Sequence, residues 1–366
     1  MLRAYKTRLI VNDKERTTLR QYAGASRFVY NWALADRKAM FDAGGKPNMY
    51  EQVRRFNALK GEQFPWLSDV AYKVIEGAFR NLDQAYQNFF RRVKSGTEKP
   101  GFPKFKSKHK SKASFSMRGS IHVEADRIKL PRLGWLRLAE SDYLPIGIEV
   151  KLATVSETAG HWYISIMVED SMPEPARSTG EPIGIDLGVK TLAVFSDGTT
   201  FKNPKTLKKY ERGLARLQRE FSRRKKGSSN RAKTRSKIAK MHYKIACTRK
   251  HALHEVSHYA TAKTKPSAVV LEDLNVKGMV KNHSLAKAIS DASFSELRRQ
   301  IEYKAAWNGV DVLIADRWYP SSKTCSECGH IKTDLTLKDR TYTCPACGVI
   351  IDRDLNAARN LAALAL

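Results

Sequence analysis

Residues 183–198 have the sequence IGIDLGVKTLAVFSDG. Two apolar runs, 183–188 and 191–195, and the turn Ser196-Asp197-Gly198 after them predict a β-hairpin with Asp186 in its first strand. A carboxylate that closes a buried strand has no stabilising role of its own, and its desolvation must be offset by a cation or a hydrogen bond. The segment therefore predicts a sheet that holds an acidic group at its edge.

A second acidic residue ends the apolar run Ala268-Val269-Val270-Leu271. Such an uninterrupted run is typical of a strand that is covered on both faces. Glu272 comes at its carboxyl end, where α/β sheets bind their ligands. Position and chemistry therefore both favour a ligand-binding role for Glu272.

A third acidic residue, Asp354, begins a helical pattern made by Leu355, Ala358, Leu361, Ala362 and Ala365. Either Asp354 or Asp352 could simply cap this helix, and the local pattern leaves both alternatives open. Phosphodiester hydrolysis uses two divalent ions about 4 Å apart, and Mg²⁺ or Mn²⁺ prefers carboxylate oxygens. Asp186, Glu272 and Asp354 together predict a two-ion nuclease site.

Four of the five cysteines form two pairs, Cys325 with Cys328 and Cys344 with Cys347. The spacing within and between the pairs, and the glycine after each pair, predict one structural zinc ion held by four thiolates. Two disulfides are the alternative, which the absence of a secretory signal disfavours. Cys247 stands apart on a helical pattern, and we expect it to be buried.

The charge of the chain points to a polyanionic partner. Sixty-six Lys and Arg residues against 37 Asp and Glu give a formal net charge of +29, which favours nucleic acid. No stretch approaches the roughly 20 apolar residues of a membrane-spanning helix, and residues 1–6 lack a signal-peptide core. We therefore expect no membrane partner and an intracellular location.

The positive charge is concentrated in residues 201–250, which contain 19 Lys and Arg against two Glu. Apolar residues at three- and four-residue steps on both sides of residues 226–230 predict a helical hairpin over 204–262. A solvated charged face on two packed helices is the alternative. We expect the hairpin to lie along a phosphate backbone.

The first half of the chain changes pattern twice. Residues 1–15 predict a strand and turn, and helical spacing follows over 19–40 and 68–93. Residues 91–112 form a basic connection interrupted by Pro and Gly. Alternation over 113–170 predicts short antiparallel strands, with the first strand completing their sheet, and a proline-bearing linker follows at 173–175.

Taken together, these segments resemble the TnpB (OrfB) proteins of insertion sequences, which are relatives of the type V CRISPR effectors. The resemblance is carried by five motifs: Gly101-Phe102-Pro103-Lys104-Phe105-Lys106, Gly184-Ile185-Asp186-Leu187-Gly188, Leu271-Glu272-Asp273-Leu274-Asn275, residues 321–329 around the first cysteine pair, and residues 352–360 around Asp354.

This resemblance implies an α/β plus all-β architecture. A β-barrel (wedge) domain at 1–15 and 113–175 would be interrupted by a helical recognition domain with the basic linker at 16–112. An RNase H-like (RuvC) nuclease domain would follow at 176–318 and 349–366, with a zinc ribbon inserted at 319–348. The resemblance also favours Asp354 over Asp352 as the third acidic ligand.

The same resemblance implies an RNA-guided DNA endonuclease that works as a monomer in the cytoplasm of a prokaryote, associated with the nucleoid. It would bind a noncoding guide RNA and cleave double-stranded target DNA next to a short adjacent motif. Guide pairing would then supply the sequence specificity. The alternatives are a transposase that joins DNA strands, an RNA-guided repressor that binds without cutting, and a junction nuclease. A junction nuclease would need neither the basic hairpin nor the zinc insert, and the intact acidic residues weigh against the repressor.

Overall fold

A computed structural model describes residues 2–96, 100–169, 175–336 and 339–366. The chain divides into two compact units, residues 1–172 and 173–366. Among the helices of these described segments, none is both long and apolar enough to cross a bilayer. The predicted linker at 173–175 falls mostly outside the described residues.

The first unit starts with strand β1 (Leu2–Ile10), which leads directly into helix α1 (Asp13–Asp42). A capping box fixes this junction, because Asn12 and Glu15 each accept the backbone N–H of the other at 2.8 Å. Helices α2 (Met49–Gln63) and α3 (Tyr72–Ser95) follow. The sequence pattern gave no sign of α2, in which only Gln52 and Phe56 are buried.

Seven antiparallel strands form the sheet of this unit, in the order β2-β6-β7-β1-β5-β4-β3. The six strands after β1 are β2 (Ser114–Met117), β3 (His122–Val123), β4 (Arg127–Leu130), β5 (Gly134–Leu138), β6 (Val150–Thr158) and β7 (His161–Glu169). Strand β1 pairs with β7 and β5, so the prediction that the first strand joins this sheet is confirmed. Closure into a barrel stays a prediction, since β2 and β3 are the terminal strands of this order.

Helices and strands of the first unit share one hydrophobic core, which contains Leu19, Phe79 and Trp162. Helix α3 approaches β2 so closely that a Cβ atom on Gly77 would lie 2.2 Å from the Ser116 carbonyl oxygen. The division of this unit into wedge and recognition domains stays a prediction.

The second unit contains a five-stranded sheet in the order β10-β9-β8-β11-β12. Its strands are β8 (Ile183–Leu187), β9 (Thr191–Phe195), β10 (Thr200–Lys202), β11 (Ala268–Glu272) and β12 (Asp311–Ala315). Strands β8, β11 and β12 are parallel, whereas β9 and β10 are antiparallel to their neighbours. The predicted β-hairpin is therefore confirmed, and so is the buried strand that precedes Glu272.

Helices surround this sheet, and a two-stranded ladder lies in the cysteine-rich segment. The helices are α4 (Thr206–Arg223), α5 (Ser229–His258), α6 (Val276–Met279), α7 (Ala286–Ala292), α8 (Phe294–Asn308) and α9 (Arg353–Ala362). The ladder pairs β13 (Thr341–Thr343) with β14 (Ile350–Asp352). A π-helical turn, Tyr259–Lys263, continues α5.

Helices α4 and α5 confirm the predicted helical hairpin, and Ser228 caps the second arm by accepting the Arg231 N–H at 3.2 Å. The expectation that Cys247 is buried is wrong, because its side chain is exposed. Ile245 on the same helix is buried. Two residues turn an α-helix by about 200°, so Cys247 falls on the opposite face.

Candidate carboxylate site and cysteine cluster

Parallel pairing brings the first two acidic residues together. Strands β8 and β11 run side by side with Ile185 opposite Leu271. The next residue on each strand is acidic, Asp186 on β8 and Glu272 on β11. Both side chains are therefore presented at the carboxyl ends of neighbouring strands, where such sheets bind ligands.

Helix α9 brings the third acidic residue to the same place by crossing β8 at Gly184. A Cβ atom on Gly184 would lie 2.0 Å from the Ala358 carbonyl oxygen and 2.5 Å from the Ala362 nitrogen. Asp186 follows Gly184 by two residues and so shares its face of the sheet. Asp354 lies one helical turn before Ala358, on the same face of the helix. Only glycine allows this close approach.

The three carboxylates interact electrostatically. The pKa of Asp186 is raised well above its usual value, first by burial and then by the charges of Glu272 and Asp354. Arg353 acts in the opposite direction but does not offset these effects. The three acidic groups carry more negative charge than the nearby cations neutralise, and a bound cation would stabilise their ionised forms.

Two of the carboxylates are held by neighbouring side chains. The Ser321 hydroxyl donates to Glu272 Oε1 at 2.6 Å. Arg353 donates to Asp354 Oδ1 from Nε at 3.3 Å and from Nη2 at 3.1 Å. Ser321 and Arg353 are site residues that the sequence patterns did not reveal, because their role depends on tertiary contacts.

The structure separates the roles of Asp352 and Asp354. Asp352 caps α9, since its Oδ1 accepts the backbone N–H groups of Asp354 at 2.9 Å and Leu355 at 3.1 Å. The side chain of Asp354 makes no such cap, and its charge raises the pKa of Asp186 more than the charge of Asp352 does. The alternative that one of these residues is a helix cap therefore applies to Asp352.

The four paired cysteines form one cluster. Their sulfur atoms all lie within 4.8 Å of one another. The Sγ atoms of Cys325 and Cys347 are 3.7 Å apart, and those of Cys328 and Cys344 are 3.6 Å apart. These distances exclude disulfides, whose S–S bond is about 2.05 Å. They match the separation of about 3.8 Å expected for sulfurs around a tetrahedral zinc ion with Zn–S bonds of about 2.3 Å.

Each cysteine pair forms a tight knuckle. The Gly329 N–H donates to the Cys325 carbonyl and the Gly348 N–H to the Cys344 carbonyl, both at 3.0 Å. Both glycines have positive φ angles, +74° and +75°. The cluster therefore has the donor set and local geometry of a structural zinc site.

Two asparagines of α9 form hydrogen bonds with the backbone around the first cysteine pair. Asn356 donates to the Thr324 carbonyl at 2.6 Å and accepts the Ser326 N–H at 2.9 Å. Asn360 donates to the carbonyls of Ser321 at 2.7 Å and Thr324 at 2.6 Å. Helix α9 thus holds the cysteine segment, Ser321 and Asp354 in one arrangement.

The basic hairpin is anchored at its base by Asp291, which is buried. Asp291 accepts the Leu207 N–H at 2.8 Å and pairs with Arg249 at 2.7 Å. Most basic side chains of the hairpin remain exposed, including Arg212, Arg216 and Arg219. Its contact with a phosphate backbone stays a prediction.

Three family sequence models match the chain. Residues 163–283 match a family described as "Probable transposase" (OrfB_IS605), and residues 294–361 match "Cas12f1-like, TNB domain". Residues 1–46 match a "Helix-turn-helix domain". Within 2–46, however, the structure has strand β1 followed by the single long helix α1.

Known proteins resemble the chain in sequence and in fold. Two bacterial proteins, each provisionally named an RNA-guided DNA endonuclease, align with nearly the whole chain. The protein of Streptomyces pristinaespiralis is 37% identical, over 100% of this chain and 89% of the relative. InsQ of Escherichia coli (strain K12) is 35% identical, over 99% of this chain and 92% of the relative.

The Cas12f1 chain in a complex with sgRNA and target DNA superposes with a TM-score of 0.57 and 14% identity, over 99% of this chain and 98% of that one. At this identity the likeness shows the fold alone. The sequence relatives are closer, and with one of them 37% identical across this entire chain, the chain belongs to the TnpB (OrfB) family.

Proposed function

We propose that this protein is an RNA-guided DNA endonuclease whose nuclease domain is RuvC-like. The observation that carries the proposal is the convergence of Asp186, Glu272 and Asp354, from two parallel strands and one helix, at one edge of the sheet. The strand order β10-β9-β8-β11-β12 supports an RNase H-type fold. The names of the relatives from S. pristinaespiralis and E. coli agree with this activity.

The three carboxylates supply the oxygen ligands that Mg²⁺ and Mn²⁺ prefer, and two such ions, when bound, would activate a water and stabilise the leaving oxygen. Asp186, whose pKa is raised by the charges of Glu272 and Asp354, would hold the ions together with these two residues. Ser321 would keep Glu272 oriented, and Arg353 would do the same for Asp354. In-line attack of water on the scissile phosphate would leave a 5′ phosphate and a 3′ hydroxyl.

The four-cysteine cluster would hold one zinc ion with no open coordination position, so its role would be structural. Guide RNA would select the double-stranded DNA target by base pairing, and the protein would work as a monomer. The net charge of +29 and the exposed basic hairpin supply the phosphate-binding surface for both nucleic acids.

The test is to purify the protein from cells that express its native locus and to sequence any RNA that remains bound. The complex is then incubated with Mg²⁺ and DNA that matches the 3′ end of that RNA. The proposal expects cleavage that follows a deliberately changed guide sequence and disappears with Asp186→Asn. Cleavage by Asp186→Asn at the wild-type rate would remove the assignment of this site.

The description "Probable transposase" for residues 163–283 keeps strand transfer as a second candidate. Strand transfer predicts joined element ends from protein and DNA alone, without RNA. A complex that carries RNA and binds the matched target but does not cut it would instead indicate a repressor.

A further inference from the structure

The first unit contains an aromatic cavity of about 660 Å³ that the proposed function does not use. It lies between the ends of α1 and α3 and the segment around Phe102. Its walls include Phe41, Tyr86, Phe89, Phe90 and Phe102, with three cations, Arg37, Lys38 and Lys46, and one anion, Asp42. The cavity combines flat apolar surfaces with positive charge.

The aromatic rings form a fixed arrangement. Phe102 meets Tyr86 edge-on at a centroid distance of 5.5 Å and Phe89 at 5.3 Å. Phe90 lies 5.3 Å from Phe89. Even so, Phe41 is 72% exposed, Phe90 60% and Phe102 43%. A contiguous aromatic patch that stays open to solvent marks an interaction site.

The cations are placed around these rings. The Lys38 ammonium lies 5.4 Å from the Phe102 ring centroid and 5.1 Å from that of Phe105. Arg37 is only 6% exposed and is fixed by Gln52 at 2.9 Å and Asp83 at 3.2 Å. Its Nη2 atom has no hydrogen-bond partner among the described residues.

Charge indicates which partner covers the cavity. The segment that supplies Phe102 continues into five lysines at alternate positions from 104 to 112. A second copy of this chain, with its net charge of +29, would bring like charges together there. An anionic ligand with flat rings satisfies both the lysines and the aromatic walls.

We propose that this cavity binds an unpaired nucleotide of the RNA that the protein carries, with the base against the phenylalanine rings and the phosphate beside Lys38 and Lys46. Unpaired RNA bases are recognised by stacking on aromatic side chains. The DNA strand that guide pairing displaces also has unpaired bases, so the RNA complex without DNA distinguishes the two ligands. The inference rests on the proposed function, because it requires that the protein carries RNA.

The test uses the complex purified with its own RNA. Irradiation at 254 nm, digestion and mass spectrometry should find RNA nucleotides cross-linked to the peptides that contain Phe41, Phe90 or Phe102. Phe41→Ala and Phe90→Ala should each weaken binding of that RNA about 5- to 100-fold, the range expected for losing one stacked base. Tyr50→Ala, which removes a 75% exposed ring outside this cavity, should leave RNA affinity unchanged.

Melting temperatures of both variants should match the wild type, since the rings removed are largely exposed. Cross-links found only elsewhere, together with unchanged RNA affinity of both variants, would overturn the inference while leaving guided cleavage intact. A dimer that Phe41→Ala converts to a monomer in the absence of RNA would also overturn it, since a second copy would then occupy the cavity. A protein that carries no RNA would instead count against the proposed function itself.

Discussion

The cysteine cluster and the carboxylate site lie in the same unit but are assembled in different ways. Each cysteine pair is closed within four residues by its own knuckle, and the sulfur atoms lie as close as 3.6 Å. The carboxylates come from positions 186, 272 and 354 and meet only because β8, β11 and α9 pack together. The cysteine site is therefore built mainly from two short local segments, whereas the candidate catalytic site depends on the packing of the whole sheet.

Loss of zinc should have the largest effect, because binding free energy at such a site is folding free energy. Cys344→Ser should lower the zinc content from one ion per chain to none and remove hydrogen-exchange protection across the cysteine-rich segment. The matched control is Cys247→Ser, whose side chain is exposed and outside the cluster. Full protection in a zinc-free Cys344→Ser protein would show that the cluster does not build this segment.

Loss of one carboxylate should have the second largest effect, and this effect should fall on the cleavage rate rather than on folding. Asp186→Asn should lower the cleavage rate about 1,000-fold, since ion-bound charge stabilisation contributes several kcal/mol to the barrier. Burial beside two carboxylates raises the pKa of Asp186, so its ionised form is unfavourable in the metal-free protein. The neutral variant should therefore melt no lower than the metal-free wild type, as measured by calorimetry.

These two sites differ in how much of their structure could be predicted from the sequence. The C-x-x-C spacing predicted the cluster because knuckle geometry is local, and the apolar runs predicted β8 and β11 with their acidic ends. The local pattern could not show which of Asp352 and Asp354 caps α9. The cap is identified by the side chain that accepts the first backbone N–H groups of the helix, and only the structure shows that this is Asp352. Ser321, Arg353 and the two asparagines of α9 depend on long-range contacts that no local pattern reports.

In the first unit, helix α2 and the strand order could not be predicted from the sequence for a similar reason. Helix α2 buries only two side chains, so its apolar periodicity is weak. Pairing of β1 with β7 joins the two ends of the unit and is set by the packing of the sheet. The exposure of Cys247 depends on which face of α5 packs against the rest of the unit. The charge-rich sequence of this helix did not show which face that is.

A smaller effect should come from disturbing the contact that brings the carboxylates together. Gly184→Ala places a Cβ atom 2.0 Å from the Ala358 carbonyl oxygen, so α9 must move away from β8. Overpacking of this kind costs about 1–3 kcal/mol, and displacement of Asp354 should also slow cleavage. The control is Gly213→Ala, where the nearest atom is 3.5 Å away on the Met241 side chain. Unfolding and cleavage assays on both variants test the role of Gly184.

The smallest effect is expected at Asp352. Asparagine caps a helix about as well as aspartate, so Asp352→Asn should retain α9 and change the melting temperature and the cleavage rate by little. A large loss of cleavage in a folded Asp352→Asn protein would assign a catalytic function to the cap.

The most direct test of the three-carboxylate site is the cleavage rate of one matched DNA target by Asp354→Asn and Asp352→Asn proteins, loaded with the same RNA in Mg²⁺. The two substitutions remove the same charge two residues apart, one at the cap of α9 and one in its first turn. The assignment of Asp354 to this site predicts a loss of about 1,000-fold for Asp354→Asn and a rate close to the wild type for Asp352→Asn. Equal rates for the two variants, or the reverse order, would contradict it.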